Sequence, residues 1–232
     1  MSVYRENFEI AAEGLSTRRL FWMLQESAGH HSAALGYGEQ RMEELGVMWV
    51  VIRYVVNCER WPRPGETVTV ETWPGQTRHG FCPRYYRFFG AEGDALLEAS
   101  ATWAVVDREG RKMVVPHERG VDIEAAEQPI RTGLGTPIRR PVTDRERRFV
   151  VPEEYLDVNG HMNNTTYFDL AESCLGVSAR QRGLRQVRAE YINEALCGEE
   201  MSVRWGYDGE KYTVTGDADS GPVFRMQLTY EE

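Results

Sequence analysis

Apolar residues recur along this chain at two periods, and the two periods come in blocks. Leu20, Leu24, Ala28 and Leu35 fall at helical spacing. They predict one amphipathic helix over Leu15 to Gly36, with Ser16 or Thr17 as its cap and Gly36 at its stop. The run Val47 to Asn57 is β-branched and aromatic and predicts a buried strand. More strands are predicted over Glu66 to Trp73, Cys82 to Phe89 and Ala95 to Val106, the last with Leu97, Ala99, Ala101, Trp103 and Val105 alternating. Arg108-Glu109-Gly110 predicts a turn into Lys112 to Val115.

The pattern then starts again. Arg147 to Val151 predicts a short strand, and Asn163 to Ser178 a helix with Tyr167, Leu170, Ala171, Cys174 and Leu175 on one face. Val187, Ala189 and Tyr191 alternate, as do Met201, Val203, Trp205 and Tyr207. Asp208-Gly209 is a hairpin turn into Lys211 to Gly216, and Val223 to Tyr230 closes the chain. Each half reads as a short strand, one long helix and about four antiparallel strands. Leu24-Gln-Glu-Ser-Ala28 matches Leu170-Ala-Glu-Ser-Cys174, and Tyr54 with Gly65-Glu66 matches Tyr191 with Gly198-Glu199. A period of about 140 residues is too long for a solenoid and points to a duplicated domain. A helix wrapped by an antiparallel sheet, twice over, is an α+β double hot-dog. The expected boundaries are 1–118 and 145–232, joined by a Gly- and Pro-bearing linker without periodicity at 119–144.

Composition removes several functions. At 232 residues each half is large enough for a core, and a net charge of -9 disfavours nucleic acid as a partner. A mean hydropathy of -0.51 and the lack of a long apolar run argue against membrane insertion. The start of the chain has no apolar signal region, so a cytoplasmic protein is expected. Cys58, Cys82, Cys174 and Cys197 are scattered, as in neither a disulfide scaffold nor a metal site, and nothing implies a metal or other cofactor.

The densest polar cluster is Asp157-Val-Asn159-Gly-His161-Met-Asn163-Asn164, between the short strand and the second helix. In an extended segment Asp157, Asn159 and His161 would point the same way, beside the free N–H groups of a helix start. Asn163 and Asn164 also suit plain helix caps. Thioester hydrolysis needs a group that activates water and donors for the charge that builds on the carbonyl oxygen. A carboxylate, a carboxamide and an imidazole at a helix start supply both.

Leu156 to Tyr167 resembles the D-x-N-x-H-x-N-N motif of plant and bacterial acyl-ACP thioesterases. The similarity extends to Leu24 to Ala28, Trp49 to Arg53, Pro64-Gly-Glu66 with the strand to Trp73, Ala99 to Trp103, and Glu190 to Gly198. The resemblance implies that Asp157, Asn159 and His161 are catalytic, together with Glu194 as a carboxylate on the following strand. Some members carry a cysteine directly after that glutamate; here the residue is Ala195, and Cys197 does not match. Glu194, aided by His161, would activate water or attack directly, Asn159 would hold the thioester oxygen, and Asp157 would orient His161.

The first half lacks this cluster, and the resemblance assigns it the fatty chain, with Trp22, Met23, Met48, Trp49, Phe81, Tyr85 and Trp103 as candidate lining. Acyl carrier protein is acidic, and Arg139, Arg140, Arg145, Arg147 and Arg148 form a basic stretch suited to dock it. His30 and His31 read as packing or surface residues. Glu26 and Glu172 hold matching helix positions and suggest an architectural role. Other readings are an acyl-CoA thioesterase of the same fold, a hot-dog dehydratase and a non-catalytic acyl-binding module; Glu194 argues against the dehydratase. Monomer and homodimer are both compatible with a duplicated chain.

Overall fold

The computed structural model describes residues 3–139, 142–157 and 160–231. The elements of the first half are β1 (Tyr4–Glu9), α1 (Thr17–Ala34), α2 (Glu39–Glu44), β2 (Val47–Cys58), β3 (Thr67–Pro74), β4 (Phe81–Phe89), β5 (Ala95–Asp107) and β6 (Met113–Val114). The second half contains β7 (Arg145–Val150), α3 (Thr166–Leu175), α4 (Ala179–Arg182), β8 (Leu184–Tyr191), β9 (Glu200–Tyr207), β10 (Tyr212–Ala218) and β11 (Gly221–Tyr230). Among the described residues no helix is long and apolar enough to cross a membrane.

All the strands belong to one antiparallel sheet in the order β1-β3-β4-β5-β2-β8-β11-β10-β9-β7, with β6 added on β5. The order reads the same from either end, because each half is a short strand, then a meander, closed by the long strand at the seam. β2 and β8 form that seam, with Tyr54 opposite Ala189 and Val56 opposite Val187. The duplicated α+β double hot-dog is therefore built as a single surface.

Helix α1 starts where Ser16 Oγ accepts from the Arg19 amide at 3.1 Å. It lays Leu20, Phe21, Leu24 and Ala28 against the sheet. Helix α3 does the same for the second half with Tyr167, Phe168, Leu170 and Ala171. The two helices meet: Phe21 stacks on Phe168 with ring centroids 3.9 Å apart, and Thr17 donates to Glu172. One apolar cluster accordingly contains residues of both halves.

Residues 120–138 have no regular structure but are tied to the sheet. Ala126 N donates to Pro74 O, Ser100 Oγ to Gly133 O, and Ile138 N to Glu190 Oε2 at 3.0 Å. Glu190 also pairs with Arg53 across the seam at 2.9 Å. The segment is thus a strap over the junction of the two halves.

Candidate active site

The described residues on either side of positions 158 and 159 turn back on each other, where an extended run was expected. Asp157 N donates to His161 O at 2.8 Å and Gly160 N to Asp157 O at 3.0 Å. Gly160 has φ 78°, a left-handed conformation that glycine adopts without steric cost. Asp157 Oδ1 accepts from the His161 backbone N–H at 3.4 Å, so the described Asp157–His161 contact runs through the main chain, not the imidazole. Asn159 lies outside the described residues. Asn163 is spent on its own turn: its Oδ1 accepts from Thr165 N and Thr165 Oγ1, each at 2.8 Å. Helix α3 therefore begins at Thr166 instead of Asn163.

Glu194 sits in the loop after β8, not on a strand. That loop is pinned on both sides. Met162 N donates to Ala195 O at 2.8 Å, and Asn193 Nδ2 donates to Pro222 O at 2.7 Å. Pairing of His161 with Leu196 completes the alignment. The result brings Glu194 Oε2 to 3.2 Å from His161 Nε2. Ala195 is fully buried and Cys197 is exposed.

A third residue joins them from the first half. Arg111 Nη2 donates to His161 Nε2 at 3.0 Å and also to Glu194 Oε2. A guanidinium only donates, so the tautomer with its proton on Nδ1 suits this contact. Nε2 and the carboxylate oxygen then share one donor group. Asp107 sets the hairpin that presents Arg111: it accepts from Gly110 N through Oδ1 at 2.7 Å and from Arg111 N through its carbonyl at 3.0 Å. Arg111, not Gly110, takes the left-handed conformation, at φ 51°. Sequence reading missed this residue, whose partners lie far away along the chain.

Arg111 also borders the interior. Its Nη1 lies 3.8 Å from Met48 Sδ, and Met48 lines a cavity of about 270 Å³ in the first half. The cavity is walled by α1 through Gln25, Ala28 and Ser32, by Trp49 on β2, by Arg84 on β4 and by Trp103 on β5. Of the expected lining, Met48, Trp49 and Trp103 are there. Trp22, Met23, Phe81 and Tyr85 are not. Met23 is fully buried in the general core, and Trp22 packs edge-on to Phe8 with Arg19 over its ring. Phe81 and Tyr85 share the face of β4 opposite to Arg84, Tyr86 and Phe88, because strand side chains alternate. Tyr85 instead borders the strap at 124–130.

The arginines expected to dock a carrier do not share one face. Arg140 lies outside the described residues, and Arg139 and Arg145 are exposed. Arg147 and Arg148 are neighbours on β7 and point to opposite sides. Arg147 donates to Ser173 Oγ at 2.7 Å, while Arg148 pairs with Glu200.

A helix packed on an antiparallel sheet, twice, with a carboxylate, imidazole and guanidinium beside a cavity, defines a tandem hot-dog protein with an enzyme-like site. The sequence model of the acyl-ACP thioesterase N-terminal domain matches residues 2–119, and that of the C-terminal domain matches 139–217. The chain belongs to the acyl-ACP thioesterase family. It is 28% identical to a chloroplastic palmitoyl-acyl carrier protein thioesterase of Arabidopsis thaliana, over 97% of this chain and 61% of that protein. It is 28% identical to a chloroplastic acyl-[acyl-carrier-protein] hydrolase of Cuphea viscosissima, over 85% of this chain and 53% of the relative. The chain thus spans little more than half the length of these curated relatives. The crystal structure of an acyl-ACP thioesterase from Bacteroides thetaiotaomicron covers all of both chains with a TM-score of 0.79 at 20% identity. The 12:0-ACP thioesterase from Umbellularia californica gives a TM-score of 0.82 at 20% identity, over 99% of this chain and 97% of that one. At such identity these two structures establish the shared fold.

Proposed function

We infer that this protein hydrolyses the thioester of a fatty acyl chain carried on acyl carrier protein, releasing a free fatty acid and the carrier thiol. The observation that carries the reading is the contact of Arg111, His161 and Glu194 at the edge of the first-half cavity. In this reading residues 1–118 hold the chain, 145–232 hold the chemistry, and 119–144 strap the two together. The exposed Arg139 and Arg145 meet the acidic carrier. The reaction takes place in the cytoplasm.

The chemistry follows from the groups present. Glu194, with the His161 lone pair beside it, takes a proton from water. The water oxygen bonds to the acyl carbon, and negative charge builds on the carbonyl oxygen. Asn159, by resemblance, donates to that oxygen. The C–S bond then breaks, the proton passes to the leaving sulfur, and a carboxylic acid and a thiol remain. Arg111 keeps the carboxylate and the imidazole in register. No thiol nucleophile is required, since Ala195 holds that position.

The test is thiol release from medium- and long-chain acyl-ACP and acyl-CoA, with wild type and Glu194→Ala. Release from acyl-ACP that Glu194→Ala abolishes is the expected result. Release from acyl-CoA alone would move the partner, and no release from either would overturn the reading.

A further inference from the structure

The interior of the first half is more polar than a plain hydrocarbon chain requires. Arg84 is 5% exposed and lines the cavity. Its guanidinium donates to His31 Nδ1 at 3.0 Å, to Thr72 Oγ1 at 3.3 Å and to Ser32 Oγ at 3.3 Å. Each acceptor is neutral. His31 is kept so by burial and by Arg84 itself, which together pull its pKa down to about 4. Among the described residues the guanidinium has no carboxylate partner.

Other groups around it are also unsatisfied. His31 accepts through Nδ1, so its proton is on Nε2, which is buried without a hydrogen-bond partner. The hydroxyls of Tyr54 and Tyr86 and the indole nitrogen of Trp103 are buried beside it without a well-formed hydrogen bond, Tyr54 facing Gln25 and Tyr86, and Tyr86 facing Trp103. Gln25, Ser32 and Trp103 line the same cavity as Arg84.

A buried cation without a counter-ion and buried donors without acceptors both cost free energy. Folds retain such groups where a ligand satisfies them. A saturated chain would cover these groups and satisfy none of them. The sheet register also places Arg84 away from the thioester. Met48, beside Arg111, pairs with Val106, whereas Arg84 pairs with Ala101 further along β5. At about 3.3 Å per residue the two stand roughly 17 Å apart along the strand.

We propose that the acyl chain accepted here carries an oxygen function remote from the thioester, and that this oxygen docks on Arg84 beside Gln25 and Trp103. The inference rests on the thioesterase reading for its substrate but not for its binding site. A carboxylate would neutralise Arg84; a hydroxyl or keto oxygen would accept from it.

Two measurements test this separately from the activity. The first is kcat/KM of wild type on carrier thioesters of one chain length bearing a terminal carboxylate, a terminal hydroxyl or no substituent. The expected result is a preference of about tenfold or more for an oxygenated chain. Arg84→Met should erase it, and Arg84→Lys should keep part of it for the carboxylate. The second is calorimetric binding of the corresponding free acids to Glu194→Gln, which should show the same order. Should Arg84→Met not fold, the wild-type ranking still decides. Equal or tighter binding and turnover of the unsubstituted chain would overturn the proposal. Selective binding of oxygenated acids without turnover of any thioester would keep this site and overturn the hydrolase reading.

Discussion

Arg111 meets Glu194 across the boundary between the two halves, and it does so from a backbone held at φ 51°. An L residue pays about 1–2 kcal/mol to adopt the left-handed conformation. The ion pair is 40% and 48% exposed, and such pairs contribute at most about 1 kcal/mol. Stability does not explain the arrangement, whereas positioning of His161 and Glu194 does.

Activity and stability should therefore separate at this position. Arg111→Gly relieves the backbone strain and removes the guanidinium. Its midpoint in urea should stay within about 1 kcal/mol of wild type or rise. Its kcat/KM on acyl-ACP should fall on the order of a hundredfold. Unchanged turnover would remove Arg111 from the site.

Phe21 is where the two cores become one. It stacks on Phe168 at 3.9 Å and meets Tyr54 edge-on at 5.1 Å. Phe21→Ala should cost about 3–5 kcal/mol in equilibrium unfolding. Because the cavity would open between both helices, a single cooperative transition is expected to persist at lower denaturant. Two separate transitions would instead mean that the halves fold independently.

The strands were legible because alternation and β-branching survive in any sheet with one buried face. Other features depend on contacts that no local pattern encodes. Arg111 reaches partners 50 and 83 positions away, in loops whose approach is set by the pairing of His161 with Leu196. On β4 the cavity is lined by Cys82, Pro83 and Arg84, small or polar side chains that a search for aromatic lining passes over. Helix α3 was expected to be longer at both ends. Asn163 spends its side chain on Thr165, and Gly176 at φ 69° stops the helix after Leu175. Helix α2 escaped notice because six residues with one buried side chain, Met42, carry no periodic signal.

Glu26 and Glu172, alike in sequence, differ in use. Glu26 is half-exposed beside His30. Glu172 is half-buried and links α3 to α1 and α4, accepting from Thr17 Oγ1 and, at 2.9 Å, from Ala179 N. Burial raises its carboxyl pKa, against hydrogen bonds from Thr17 and Ala179 that lower it; Asp169 adds to the rise and Arg180 opposes it. A carboxyl raised in the folded state contributes stability that is present at low pH and lost as pH rises through its folded pKa. Glu172→Gln keeps the acceptor and removes the charge. Thermal melts should show the variant close to wild type near pH 5 and more stable near pH 8. A variant less stable at pH 8 would mean that the ionised form is the one the fold prefers.

Gly29 offers a way to change the cavity without disturbing the core. It lies inside α1, lines the cavity, and is exposed at its rim. A Cβ built there meets nothing within 4 Å. Glycine in a helix interior costs roughly 0.5–1 kcal/mol relative to alanine. Gly29→Ala should therefore raise the melting temperature by a few degrees, on the scale of about 4 °C per kcal/mol or less for a chain of this size, with chain-length preference unchanged. Gly29→Leu extends a larger side chain from the same position. Directed inward, it narrows a space of only about 270 Å³ and should shift the optimum of the acyl-ACP panel to shorter chains. The comparison between the two variants isolates volume from helix propensity. A Leu variant with an unshifted optimum would mean that the fatty chain does not pass this rim, and the acyl site would have to be sought elsewhere in the first half.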